Sequence, residues 1–493
     1  MNGGIWRNPV LQRNSVKKNL IYHASFQVLL LLIPFITTPY VSRVLGAENI
    51  GRYSYASAMV TYFTLVASLG TTIYGQRKVA YFRDNRDELS QVFWNTVSLR
   101  FLLSAFSLIL YCAYVFLFEG LELINAIVSI NILNVALDLS WYYQGVEDFK
   151  SVVLRNFVVR LACLSGIFIF VRTRNDTWKY VLILTLSQVL GSVSMWRSIG
   201  GNIKLVKKIH PFDGFKEILL LFLPSIAIQV YTILDKSMIG WITASNYANG
   251  CYEQSERIAR LALSVVTSVG TVVLPRVANL FHGDDLDEAK RYVYLACRLV
   301  CMLSIPIMFG LSVVSSLFIP LFLGDGFNDA ICLLCIFSML VPVVSLAYVI
   351  GLSYLIPTGQ QNVYTISVTI AAIVNFFINL LLIPIFGAIG AAIASVVAEI
   401  IGVSIQLIYC SLKKQLSLKM VFVPAWRYVI AGMIMFFVTL CLKHYLTTSV
   451  LSLMVLICVG VATYSIMLVL LKDSFLLENL GKVFRNGVNR NER

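Results

Sequence analysis

Charge is what this chain has least of. Of 493 residues only 13% are Asp, Glu, Lys or Arg while 58% are apolar, and the mean hydropathy of +0.80 excludes a set of water-soluble domains. Histidine is almost missing: His23, His210, His282 and His444 are scattered, so no His-based metal set or general-base cluster argues for catalysis. No GxxxxGK[ST] phosphate loop occurs, and no gap between apolar runs exceeds about twenty residues, which leaves no room for a nucleotide-binding domain. Alternating ten-residue segments are also lacking, which argues against a membrane barrel. Ten cysteines are present, but Cys112, Cys163, Cys297, Cys301, Cys441 and Cys458 lie inside apolar runs and read as small buried side chains. Cys332 and Cys335 form a CxxC in an apolar stretch with no second pair, so no metal site is expected.

What is there is a series of apolar runs long enough to cross a bilayer. Fourteen are found, at roughly 19–43, 50–74, 91–117, 122–145, 152–172, 177–199, 216–241, 247–274, 292–318, 328–356, 363–384, 387–411, 426–446 and 449–471. Hydrocarbon cannot satisfy backbone polar groups, so the runs predict helices and the fold class is an all-α polytopic membrane protein. The first run has no cleavage site ahead of it and is expected to be a retained span. Pro34, Pro39, Pro224, Pro306 and Pro342 fall within runs and predict kinks.

The net charge of +14 reflects loop topology rather than nucleic-acid binding. With the N-terminus inside, cytoplasmic segments hold 27 Lys and Arg and outer segments hold six: Arg43, Arg52, Arg172, Arg174, Lys179 and Lys443. Both termini are therefore expected in the cytoplasm. Arg100, Arg160, Lys236, Arg257, Arg260 and Arg298 are placed at membrane depth.

An internal repeat divides the chain. Gly51-Arg-Tyr53 opens the second run and Ser68-Leu-Gly70-Thr71 closes it; Gly250-Cys-Tyr252 opens the eighth and Ser268-Val-Gly270-Thr271 closes it. Lys78-Val-Ala80 and Arg276-Val-Ala278 follow in turn. Duplication predicts two pseudo-symmetric six-helix lobes, 1–199 and 216–411, joined by a cytoplasmic linker at 200–215. Two further helices within 426–471 and a cytoplasmic tail at 472–493 complete the chain, and a central cavity between lobes is the expected binding place.

Charges at membrane depth cost at least about 2.5 kcal/mol and should face water or one another. In the eighth run Glu253, Glu256, Arg257 and Arg260 share one helical sector, continued by Ser264, Thr267 and Thr271. Two readings stay open: i,i+4 neutralisation of Glu253 with Arg257 and Glu256 with Arg260, or a cationic lining that would suit a diphosphate. Gln229, Thr232 and Lys236 share a face of the seventh run, with Asp235 a quarter turn away. Asp138, Asp235 and Glu399 are candidates for coupling to a sodium or proton gradient, or for structural pairing, Asp138 and Glu399 with Arg160 or Arg100 and Asp235 with Lys236.

The runs Arg43-Val-Leu-Gly46-Ala-Glu-Asn-Ile-Gly51-Arg-Tyr53, Leu234-Asp235-Lys236, Tyr252-Glu253-Gln254, Leu274-Pro275-Arg276, Leu355-Ile-Pro357-Thr358-Gly359 and Asn375-Phe-Phe-Ile-Asn379 through Gly387-Ala-Ile-Gly390 resemble the O-antigen and capsular polysaccharide repeat-unit flippases. These belong to the multidrug, oligosaccharidyl-lipid and polysaccharide exporter superfamily. The resemblance implies a transporter, not an enzyme, that moves an undecaprenyl-diphosphate-linked glycan from the cytoplasmic to the periplasmic leaflet of a bacterial inner membrane. It implies no cofactor, and a polysaccharide polymerase and chain-length regulator as partners. Arg52, Lys236, Arg257 and Arg260 are then the expected diphosphate contacts, with Gln229, Tyr252 and Glu253 beside them. The competing reading is an ion-coupled exporter of small drugs, for which a cavity rich in carboxylates and aromatics would be expected.

Overall fold

The protein is described by a computed structural model that covers the backbone of residues 9–476 apart from 198, 200–202, 283–285 and 474; side chains are described outside 9–32, 149–155, 223–228, 269–278 and 281–286. The basic stretches at both ends, and Arg276, lie outside the described side chains. All regular structure among the described residues is helical. Among the described residues nine helical stretches are long and apolar enough to cross a bilayer by length and composition, and the described parts of the remaining expected spans are helical too.

The first two spans are one continuous element, α1 (Pro9–Ser68), broken at Gly46, whose φ of 78° and ψ of 169° suit glycine alone. This accounts for the glycine in the Arg43-Val-Leu-Gly46 run. At Leu69 and Gly70 the backbone turns left-handed before α2 (Thr71–Phe82). A Cβ at Gly70 would press on the Ile218 carbonyl and on Phe222 of α8 (Phe215–Thr243), so the glycine permits both the turn and a close approach. α3 (Arg86–Tyr114) starts on Asn85, whose Oδ1 accepts from the Asp87 and Glu88 amides. It ends in a wide π turn, Val115–Glu119. The fourth span is interrupted. α4 (Leu123–Leu137) stops at extended Asp138 and a short α5 (Ser140–Gly145) follows, before α6 (Phe149–Phe170) and α7 (Thr177–Arg197).

α9 (Asn246–His282) carries the repeated motif without the break: the helix runs straight through Gly270 where its counterpart turns at Gly70. The repeat is thus a sequence repeat with two backbone forms. α10 (Leu286–Leu323), α11 (Asn328–Ser338), α12 (Leu340–Ala347) and a π turn (Tyr348–Leu355) follow. α13 (Gln361–Phe386) and α14 (Ala388–Leu412) form a tight hairpin about Gly387, φ 56°. Gly390 sits so close to the Leu382 carbonyl that a Cβ would collide with it. A short α15 (Leu418–Phe422) leads to α16 (Ala425–Lys443) and α17 (Val450–Leu470).

The chain divides into two compact units, 1–237 and 238–493. In the first, Phe93, Trp141, Tyr142 and Met195 form an aromatic-rich core cluster at one end of α3, α5 and α7. The segment expected as a linker is strapped along α3. The Trp94 indole donates to the Lys204 carbonyl at 3.0 Å, Gln91 to the Lys208 carbonyl at 2.9 Å, and the His210 amide to Asn95 Oδ1 at 2.9 Å. In the second, Cys297, Val300, Val349, Leu355 and Val403 centre the core. α16 and α17 pack on α10 through Cys301, Ile305, Tyr428, Met435 and Tyr464. Phe101, Phe106 and Ile109 of α3, Phe377, Leu381 and Ile385 of α13, and Leu451, Met454 and Ile457 of α17 stay exposed. Such apolar bands are stable only against lipid.

Candidate functional site

α9 is two-faced. Ile258, Ala259 and Val266 are buried, and Ser255 donates to the Ala330 carbonyl at 3.1 Å, which fixes that side against α11. The other side holds most of the stripe expected from sequence: Glu253, Arg257, Arg260, Ser264 and Thr267 are half-buried or exposed, whereas Glu256 is buried and Thr271 lies outside the described side chains. Arg257 Nη2 meets Glu253 Oε1 at 3.0 Å and Arg260 Nη2 meets Glu256 Oε1 at 2.6 Å. Both i,i+4 pairs are therefore formed. They keep the guanidiniums aligned along one face, with the Arg260 side chain 54% exposed and Arg257 32%. Pairs of this spacing stabilise an exposed helix by only about 0.2–0.5 kcal/mol, but here the carboxylates are the buried partners, the Glu253 side chain 16% and Glu256 8% exposed, so the arginines are the accessible ends of both pairs. Tyr252 is on the packed side. It is 1% exposed, stands edge-on to Phe337 at 5.0 Å and lies 3.2 Å from Ser395 Oγ, so in this conformation its ring faces are covered by protein.

Arg52 lies in the first unit, on α1 shortly after its break at Gly46. Its Nε and Nη2 both reach Glu122 Oε2, at 3.0 and 2.8 Å, on a half-exposed surface. Beside them is a group that sequence reading missed: Glu119 Oε1 accepts from both Tyr55 and Tyr114 hydroxyls at 2.6 Å. The signal was available in Glu119-Gly-Leu-Glu122, two acids flanking a glycine at a span end, but their partners are some seventy residues away. Further along α1, Tyr62 bonds Ser237 Oγ at 2.8 Å, and buried Asp235 lies in the electrostatic neighbourhood of the same tyrosine. Lys236, next along α8, is half-buried, and Gln229 is exposed. Of the proposed coupling acids, Asp138 lies 3.7 Å from Arg100, one of its two anticipated partners, and Glu399 is half-buried near Tyr364. Among the described residues no His, Cys, Asp and Glu are grouped to hold a metal, and all ten cysteines are unbridged.

Outside the spans, the Asp176 carboxyl is held well below the usual carboxylate range. Lys179 lies beside it, and the Arg172 and Thr173 amides donate to it, which locks the turn ahead of α7. In the second unit, Asp473 is fully buried and gathers Arg298 Nη2 at 2.8 Å, Tyr428 at 3.3 Å and the Leu476 amide at 3.0 Å. This explains Arg298, one of the cations expected at membrane depth: it ties α10 to the last two helices.

An all-helical chain with paired charges on one face of a repeat helix matches known families along most of its length. The family described as "Polysaccharide biosynthesis protein" matches residues 16–281, and the family described as "Lipid II flippase MurJ" matches residues 150–462. The chain belongs to the polysaccharide biosynthesis protein family. This places it in the multidrug, oligosaccharidyl-lipid and polysaccharide exporter superfamily. Curated proteins similar to it include a candidate O-antigen transporter of Escherichia coli (strain K12), 23% identical over 80% of this chain and 96% of that protein. A candidate O-antigen transporter of Shigella dysenteriae is 22% identical over 79% and 98%. Among solved structures, the fold is that of "Lipid II flippase MurJ, inward closed conformation", with a TM-score of 0.76, 17% identity, and coverage of 92% of this chain and 100% of that one. An inward-facing multidrug resistance transporter of the MATE family shares the fold with a TM-score of 0.62 and 11% identity, over 77% and 94% of the two chains. As a polysaccharide biosynthesis family member the chain is a multi-pass membrane protein, and its curated relatives are transporters and flippases rather than enzymes.

Proposed function

We propose that this protein flips undecaprenyl-diphosphate-linked oligosaccharide repeat units, of O-antigen or capsule, from the cytoplasmic to the periplasmic leaflet of a bacterial inner membrane. The cycle is one of alternating access around a cationic cavity. Support comes from the family and from one observation above all: Arg257 and Arg260 stand in line on the less buried face of α9, each held by a carboxylate one turn away. A glycan too polar for hydrocarbon needs a wet path, and its diphosphate needs cations that give up a weak partner for a stronger one. Arg52 and Lys236 are proposed to assist, with Gln229 and Glu253 near the same ligand; Asp138, Asp235 and Glu399 are proposed for ion coupling. The glycan-lipid would be handed to a polysaccharide polymerase and its chain-length regulator.

Reconstitution into liposomes with a defined undecaprenyl-diphosphate oligosaccharide tests this reading, with enzymatic modification of the outer-leaflet sugar as readout. Wild-type protein is expected to expose the glycan. Arg257→Ala and Arg260→Ala should each slow exposure by about tenfold or more, the equivalent of one lost ~1.4 kcal/mol contact, with insertion and folding intact. Transport of cationic drugs without glycan-lipid would replace the reading by a multidrug exporter, and wild-type rates in both variants would make the α9 arginines structural.

A further inference from the structure

The N-terminal unit contains a polar seam of which only Asp138 enters the roles proposed above. On α3, Thr96, Arg100 and Ser104 follow at four-residue intervals and so share one face. α3 packs along α4, where Asn131, Asn134 and Asp138 line up at three- and four-residue spacing. Arg100 is 2% exposed. Its Nη2 stays 3.7 Å from Asp138 Oδ2, outside hydrogen-bond range, while Nε and Nη1 are buried with no acceptor. The Thr96 and Ser104 hydroxyls, one turn to either side, are buried without a partner as well. Asp138 is engaged elsewhere: Oδ1 accepts the Ser140 amide at 3.1 Å and Oδ2 the Ser140 hydroxyl at 2.7 Å.

Counted by chemistry, the seam is rich in donors. Nε and Nη1 of a guanidinium carry three N–H groups, and two hydroxyls add two more, against one carboxylate already bonded to Ser140. Asn131 and Asn134 bury their Oδ1 atoms without donors, and exchange of amide oxygen and nitrogen turns each into a buried donor on α4. Buried donors without acceptors are costly, and those of a charged group most of all. A cation is repelled by Arg100, and a sugar needs more carboxylate and carbonyl acceptors than the seam offers. A compact acceptor with negative charge fits.

We propose that this seam binds a small inorganic anion, a halide of chloride size, on Arg100 Nε and Nη1 between the hydroxyls of Thr96 and Ser104. Asp138 acts as a tethered competitor: its carboxylate lies close enough to Arg100 to oppose a second negative charge, yet too far to satisfy it. The site is separate from the α9 arginines, and its failure would leave the flippase reading intact.

The test uses full-length protein in detergent, following thermal unfolding against sodium chloride, bromide and gluconate at constant ionic strength. Chloride and bromide are expected to raise the wild-type midpoint saturably, and gluconate is not. Asp138→Asn should lower the halide concentration for half-effect by about tenfold, whereas Arg100→Gln should abolish the halide-specific rise. Should Arg100→Gln fail to fold, Thr96→Val with Ser104→Ala keeps the charge and should raise the half-effect concentration. A crystal grown in bromide should show anomalous scattering in the seam. Equal responses to all three salts, a halide response unchanged in the hydroxyl-free variant, or a seam holding only water in such a crystal would each overturn the proposal.

Discussion

Single positions carry much of the packing, and their sequence signatures differ in legibility. Gly75 of α2 lies against Trp141 so closely that a Cβ would collide with the indole, whereas Gly310, in the middle of α10, has nothing within 4 Å of its virtual Cβ. Gly75→Ala should therefore cost about 1–3 kcal/mol by overpacking, and Gly310→Ala should be neutral or stabilise by up to about 1 kcal/mol through helix propensity. Thermal unfolding of the two variants checks this, and equal effects would refute it. Neither glycine could be told apart from the other in the sequence, because the difference lies in what another helix brings to the spot. The α9 charges were legible: four residues at helical spacing define a face without reference to any neighbour. Arg52 was legible as an outer-end cation, but Glu122 and the Tyr55–Glu119–Tyr114 group were not, since chain separation hides such pairs.

Among the elements, the breaks matter as much as the helices. Prolines at 34 and 39 sit inside α1 without ending it, while Gly46 does break it, so proline position alone misplaces the first joint. The duplicated Ser-x-Gly-Thr motif turns at Gly70 and runs straight at Gly270, which shows that the motif permits a bend and tertiary contact with Ile218 and Phe222 selects it. At the end of α17, Asp473 forms a latch that the sequence reading assigned to a plain tail. Its carboxyl is held below the ordinary range although burial alone pushes it up, because the Leu476 amide and the Arg298 guanidinium favour the anion. A depressed carboxylate contributes stability above its unfolded pKa of about 3.9 and loses it as pH falls through the folded value. Packing of α16 and α17 on α10 should thus hold at neutral pH and weaken only in acid below about pH 4. Asp473→Asn should remove about 1.5–3 kcal/mol at neutral pH and flatten that acid dependence. Proteolysis of the C-terminal helices against pH measures it, and a variant as resistant as wild type would show that apolar contacts alone hold the pair.

For the molecule as a whole, the strongest forecast concerns orientation. Lys and Arg fall 27 to six between alternate sets of loops, and the positive-inside rule makes both termini cytoplasmic. A phosphatase reporter active only outside the cytoplasm should be silent when fused to either end and active after Arg174 or Tyr445; the reverse pattern would invert the topology. That the long apolar runs are helices was legible in the sequence, because hydrocarbon forces every such run into a helix whatever surrounds it; where they break, at Gly46, Gly70 and Asp138, was not. Polarity at regular spacing likewise marked the charged face of α9. Tertiary structure decided what local pattern leaves open: Tyr252 is covered by Phe337, Arg298 is taken up by Asp473, and Arg100 is left with buried donors that Asp138 does not reach. Which charges neutralise one another depends on distances between helices, and those are set by the packing of whole faces rather than by the order of residues along any one of them.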